Sequence, residues 1–195
     1  MTIIGITGNF GAGKSTVAKI FCQHRFSVID ADEIGHQQIK SNPEIKSKLI
    51  KNFGREILGS NGNISRKKLG DVVFKNVRKI RKINSILHPS IIKEIKAAIR
   101  EIEKKQRHDV NIAIDAPLLI EAGMHDMVDK IVVVKTGHDR VFRRSRNFSK
   151  PQIENILKMQ FPLKEKLKYA DFVIDNNGDL MNLKNQVKKI IGNIK

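Results

Sequence analysis

Ile3-Ile4-Gly5-Ile6-Thr7-Gly8-Asn9-Phe10-Gly11-Ala12-Gly13-Lys14-Ser15-Thr16 is the stretch from which the fold can be read. Its first five residues suit a short strand buried on both faces. After it, Val17, Ala18 and Phe21 recur at helical spacing. Between strand and helix, Gly8 to Ser15 match G-x-x-x-x-G-K-[ST]. The glycines let the backbone wrap closely, so that successive N–H groups point inward at phosphate oxygens. A helix beginning near Lys14 adds the positive end of its dipole. The Lys14 ammonium suits the β- and γ-phosphates, the Ser15 hydroxyl a Mg²⁺ ion and Thr16 the α-phosphate. Gly8, Asn9, Gly11, Ala12, Gly13, Lys14, Ser15 and Thr16 are therefore the expected phosphate contacts.

Outward from this loop, four more apolar runs read as strands buried on both faces: Ser27–Asp30, Val110–Asp115, Lys130–Lys135 and Phe172–Asp175. Ile91, Ile92, Ile95, Ala98, Ile99 and Ile102 share one face of a helix expected to begin near Pro89. Leu183, Val187, Ile190, Ile191 and Ile194 do the same near residue 190. Strands alternating with helices predict a parallel α/β sheet. About eighty residues separate the second and third strands, and that block reads as a helical insertion broken by a turn at Asn61-Gly62. A shorter insertion follows the fourth strand.

Asp30-Ala31-Asp32 ends the second strand, and in an open α/β sheet ligands bind at the carboxyl ends of strands. Phosphorylation of an alcohol needs a base to take the hydroxyl proton. Asp32 is the expected base and Asp30 its structural or helix-capping neighbour; the alternative is that both cap the next helix. A guanine-reading N-K-x-D segment is absent, which argues against a switch GTPase. Asp175 to Gly178 fit D-x-x-G, but after the last strand rather than early in the chain.

Composition narrows the class further. Hydrophobic residues are 40% and aromatics 5% of the 195, so the core is expected to be Ile, Leu and Val. Cys22 is the only cysteine, which excludes an intrachain disulfide and predicts a reduced, cytoplasmic setting, with the thiol as a small buried residue. The N-terminus shows no basic, cleavable leader, and no apolar run approaches the ~20 residues of a membrane helix. The net charge is +17; residues 40–107 hold 19 Lys plus Arg against 6 Asp plus Glu. Such a surface attracts polyanions. No recognition motif or aromatic stacking cluster accompanies it, so neither nucleic acid nor membrane is expected as a partner.

Further features follow in order: Phe53-Gly54, Asn61 to Arg66 with Leu69, His88-Pro89, Pro117-Leu118-Leu119-Ile120-Glu121, Gln160, and Ala170-Asp171 running into Asp175-Asn176-Asn177-Gly178. In this order, behind Gly8 to Ser15 and Asp30-Ala31-Asp32, the chain resembles the dephospho-CoA kinase family nearly end to end. The resemblance implies a P-loop kinase of nucleoside-monophosphate-kinase type, with a five-stranded parallel sheet flanked by helices. It implies one domain over 1–195 in three parts: a nucleotide core (about 1–32, 108–136 and 170–195), a helical acceptor-binding insertion (about 33–107) and a lid (about 137–169). The implied reaction is phosphorylation of the ribose 3′-hydroxyl of dephospho-CoA by MgATP, the final step of coenzyme A synthesis. Without the resemblance, a small kinase for a nucleoside monophosphate or a sugar acid stays open.

The resemblance also assigns roles. Asp32 is the catalytic carboxylate, and Lys14 and Arg143 stabilise charge on the transferred group. Arg143 and Arg146 close over ATP from the lid, and Asn176 and Gly178 lie near adenine. Thr7, Arg66, His88, Leu118 and Glu121 join Asp32 on the acceptor side. Ser15 holds Mg²⁺, and Asp115 holds it through water. Plainer alternatives stand beside these: a basic solvated helix for the arginines, an ordinary turn at Asn176 to Gly178, solvated charge for Arg66, packing or capping for His88. Asn9 departs from the glycine usual in the family.

Overall fold

In the computed structural model, residues 1–106, 110–137, 140–142 and 147–194 are described. Five strands form one sheet: β1 (Ile3–Gly8), β2 (Phe26–Asp30), β3 (Asn111–Asp115), β4 (Lys130–Lys135) and β5 (Phe172–Asp175). Their order is β2-β3-β1-β4-β5, and every pairing is parallel. β1 is therefore the topological switch point, where neighbouring crossovers diverge and leave a crevice for a ligand. Pairing of Ile6 with Asp115, and of Asp30 with Asp115, puts the ends of β1, β2 and β3 at one edge.

Alternation along the central strands builds two cores. Ile4, Ile6, Ala113, Val132, Val134 and Ile174 face α1 (Lys14–Gln23) and the chain's last helix. Ile112, Ile114, Ile131 and Val133 face Ile95 and Ile99 on the other side. The outer strands are less covered than their apolar sequence predicts: Val28 on β2 and Val173 on β5 are exposed, because each strand has a neighbour on one edge only. Cys22 is also exposed rather than buried. It shares the solvent face of α1 with Lys19 and Gln23, whereas Val17, Ala18 and Phe21 lie on the sheet.

Residues 31–106 are mostly helical: α2 (Ala31–Ser41), α3 (Pro43–Phe53), α4 (Arg66–Val73) and α5 (Val77–Gln106). Between α3 and α4, Gly62 takes φ 71° and Leu58 bridges Ile64, the turn expected at Asn61-Gly62. These helices share a third core that includes Leu49, Phe53, Ile57, Leu69 and Val73. The helix expected to begin at Pro89 instead begins at Val77, with Pro89 inside it. An internal proline costs ~3 kcal/mol. Continuous burial outweighs that cost: Ile80 and Leu87 before Pro89 sit in the third core, and Ile95 and Ile99 after it sit against the sheet. His88 is consequently a mid-helix residue and caps nothing.

Later in the chain come α6 (Lys150–Leu157), α7 (Leu163–Leu167) and α8 (Leu180–Ile194). Leu183, Val187 and Ile190 of α8 are buried as their spacing predicts. Among the described residues no helix is long and apolar enough to cross a membrane.

Candidate active site

The loop after β1 is folded as a cradle. Gly8 (φ 150°) could not be replaced, because a Cβ there would lie 2.2 Å from the Val134 carbonyl oxygen on β4. Gly11 and Gly13 take φ 72° and 90°, the left-handed region that favours glycine. α1 starts at Lys14 without a side-chain cap, so its first N–H groups face the loop. Lys14 Nζ donates to the Asn9 carbonyl at 3.3 Å. Two remote side chains hold the loop's outer turn: Gln160 Oε1 accepts from Phe10 N at 2.7 Å, and Asn176 Nδ2 donates to the Ala12 carbonyl at 2.7 Å.

A cavity of about 290 Å³ opens above this cradle, lined by Gly11, Gly13, Lys14, Ser15, Asp30 and Asp115, among others. Asp30 caps α2, its Oδ1 accepting from Asp32 N at 2.9 Å and Glu33 N at 3.0 Å. Asp32, in the first turn of α2, does not cap the helix and lines the cavity. Lys14 is 8% exposed, and burial holds its ammonium below the ordinary lysine range, opposed by the charges of Asp115 and Asp32. The Asp32 side chain reaches solvent in the open cleft, yet the surrounding protein pushes its carboxyl upward, opposed by Lys14. Asp115, 5% exposed, is raised to about 6, chiefly by burial and then by Asp30 and Asp32, with Lys14 and the Ser15 hydroxyl opposing. Its Oδ1 is buried with no hydrogen-bond partner.

A second cavity, about 650 Å³, lies between the sheet edge and helices α2, α4 and α5. Its wall is largely apolar, with Phe74 and Phe10 each packed edge-on against Phe148 at centroid distances of 5.6 and 5.2 Å. Arg66, His88 and Leu118 line it. Phe10, Asp32 and Pro117 line both cavities, so the two spaces meet beside these three residues.

A glycine-rich loop at a helix start, with Asp32 between it and a second cavity, suits a phosphotransferase. The dephospho-CoA kinase family model matches residues 2–182. The chain belongs to the dephospho-CoA kinase family. The dephospho-CoA kinase of Aquifex aeolicus is 40% identical over 192 residues, covering 97% of this chain and 96% of its own. That of Carboxydothermus hydrogenoformans is 39% identical over 194 residues, covering 98% and 93%. The solved dephospho-CoA kinase from Campylobacter jejuni superposes with a TM-score of 0.70 at 26% identity, covering 98% of this chain and 96% of its own. A shikimate kinase from Acinetobacter baumannii shares the fold, with a TM-score of 0.54 at 15% identity. ATP use follows from membership of this P-loop kinase family.

Within this dephospho-CoA kinase family chain, the other expected site residues are placed as follows. Thr7 is buried, its hydroxyl donating to the Pro117 carbonyl at 3.3 Å. Ser15 and Thr16 stand exposed in the first turn of α1. Arg66 Nη2 donates to His36 Nε2 at 2.8 Å. Burial lowers the His88 imidazole, with Glu121 opposing. Glu121 does not face the cavity: its Oε1 accepts from Phe161 N at 2.7 Å and lies 2.8 Å from Lys166 Nζ. Asn176 is buried, and the Gly178 carbonyl accepts from Arg140 Nη1 at 3.2 Å. Arg143 and Arg146 lie outside the described residues. Sequence reasoning gave no role to His36, Gln160 or Lys166. The signal for His36 was its position one turn after Asp32; for Lys166 there was none, since it reads as one more lysine in a lysine-rich chain.

Proposed function

We propose that the protein transfers the γ-phosphoryl group of ATP to the ribose 3′-hydroxyl of dephospho-CoA, with Asp32 as the base that takes the hydroxyl proton. The observation that carries this is that Asp32 lines both cavities. ATP places its phosphates in the glycine-rich loop, against Lys14 and the N–H groups of α1. The acceptor occupies the larger cavity, with its adenosine end at the junction and Arg66 near its phosphates. The surrounding protein raises the Asp32 carboxyl and Lys14 opposes that, which sets a carboxylate beside the cation that faces the phosphates.

The donor set suits Mg²⁺. Asp115 Oδ1 is a buried acceptor without a partner, and the Ser15 hydroxyl lies beside that carboxyl. No cluster of three or more His, Cys, Asp or Glu that would hold a metal alone occurs among the described residues. That fits an ion bound mainly by phosphates and water, with one or two protein oxygens. Ser15 and Asp115 would hold it, and it would neutralise charge on the phosphates. On the same reading, Arg143 and Arg146 close from the lid, and Asn176 and Gly178 flank the adenine. The chain divides into core, helical acceptor region and lid, and it works in the cytoplasm without nucleic acid or membrane.

ADP release is to be measured with dephospho-CoA, nucleoside monophosphates and sugar acids as acceptors. Turnover confined to dephospho-CoA is expected. Faster turnover of another acceptor would replace this reading.

A further inference from the structure

Lys166 is 0% exposed, a rarity for a lysine, and its ammonium is fully engaged. Nζ lies 2.8 Å from Glu121 Oε1 and donates to the Pro117 carbonyl at 2.7 Å and the Thr7 hydroxyl at 3.5 Å. Burial lowers its ammonium, and Glu121 opposes that. Thr7 immediately precedes Gly8 of the cradle. Pro117 is wall to both cavities. Lys166 thus touches the two segments that frame Lys14 and Asp32.

We propose that Lys166 is a positioning residue for phosphoryl transfer, its donation to the Pro117 carbonyl fixing the wall shared by the two cavities. Stability alone gives a poor reason for this group. A buried ion pair is often no better than apolar residues of the same volume. Apolar residues cannot supply donors to Pro117 and Thr7. Segment 160–166 adds a second grip, because Gln160 holds Phe10 N of the cradle and Phe161 N is held by Glu121. The lid-side chain, the cradle and the Pro117 turn are therefore registered against one another at one point. A displacement of about 1 Å there separates donor and acceptor enough to cost up to ~10²-fold in rate. The inference rests on reading the two cavities as nucleotide and acceptor sites.

The test separates position from stability with two variants. Lys166→Met leaves Glu121 buried without its partner and should lower Tm by roughly 10 °C. Lys166→Met/Glu121→Gln removes both charges, while the new side-chain amide oxygen can still accept from Phe161 N, so Tm should return to within a few degrees of the wild type. In that double variant, kcat with dephospho-CoA should stay at least about tenfold down with the KM for ATP unchanged. Recovery of kcat together with Tm overturns the positioning role and leaves a structural ion pair. A wild-type protein inactive on dephospho-CoA overturns the cavity assignment itself, and the inference with it.

Discussion

Asn176, beside β5, donates from its Nδ2 to the carbonyl of Ala12 at 2.7 Å, joining residues 164 apart in sequence. The bond fixes the middle of the phosphate loop from the far half of the sheet. Gln160 does the same from the segment before α7, through Phe10 N. The cradle is thus held in shape by side chains that its own sequence does not contain.

Asn176→Ala should therefore lower stability by about 1–2 kcal/mol, the worth of a buried hydrogen bond. It should also raise the KM for ATP several-fold while the KM for the acceptor stays constant. Thermal denaturation and initial rates with each substrate varied in turn check both statements. An unchanged KM for ATP would reduce Asn176 to a packing residue.

Asp115 carries a stability cost that depends on pH. Its carboxyl is raised from an ordinary 3.8 to about 6, chiefly by burial. Between those values the folded chain keeps a proton that the unfolded chain has released. Stability from this group therefore falls as pH rises through that window, and the loss is complete above it. Asp115→Asn should raise stability at pH 7.5 by up to about 3 kcal/mol, with the gain fading toward pH 4. Activity at low Mg²⁺ should drop in the same variant. Melting curves from pH 4 to 8 test the first statement, and a Mg²⁺ titration of rate tests the second.

Arg66 donates to His36 Nε2, which places the ring proton on Nδ1, 3.7 Å from the Glu33 carboxylate. Arg66 is thereby presented to the larger cavity from the start of α4. Arg66→Ala should raise the KM for dephospho-CoA about tenfold, the worth of one charge-assisted contact, and leave the KM for ATP alone. Steady-state kinetics decide it; an unmoved acceptor KM makes Arg66 a solvated charge.

How far these features could be read from the chain depends on how local their causes are. β1, the glycine-rich loop and α1 follow from contiguous residues, because backbone conformation and burial period are local properties. The sheet, its parallel sense and the cap at Asp30 follow for the same reason. Helix α5 did not: Pro89 is a local stop signal, overridden by Ile80 and Leu87 on one side and Ile95 and Ile99 on the other, each needing a different partner surface. Glu121 pairs with Lys166, and only the folded chain brings those two residues together across 45 positions. The exposure of Cys22 turns on which side of one helix meets the sheet, and Val17, Ala18 and Phe21 take that side.

On the proposed function, the Asp32 carboxylate, beside the glycine-rich loop and the larger cavity, takes the proton of the attacking hydroxyl. Asp32→Asn keeps the size and removes the basicity. Its kcat with saturating ATP and dephospho-CoA should fall by roughly 10²–10⁴, with ATP binding by titration calorimetry within about twofold of the wild type. Turnover within a few-fold of the wild type would remove Asp32 from the role of base.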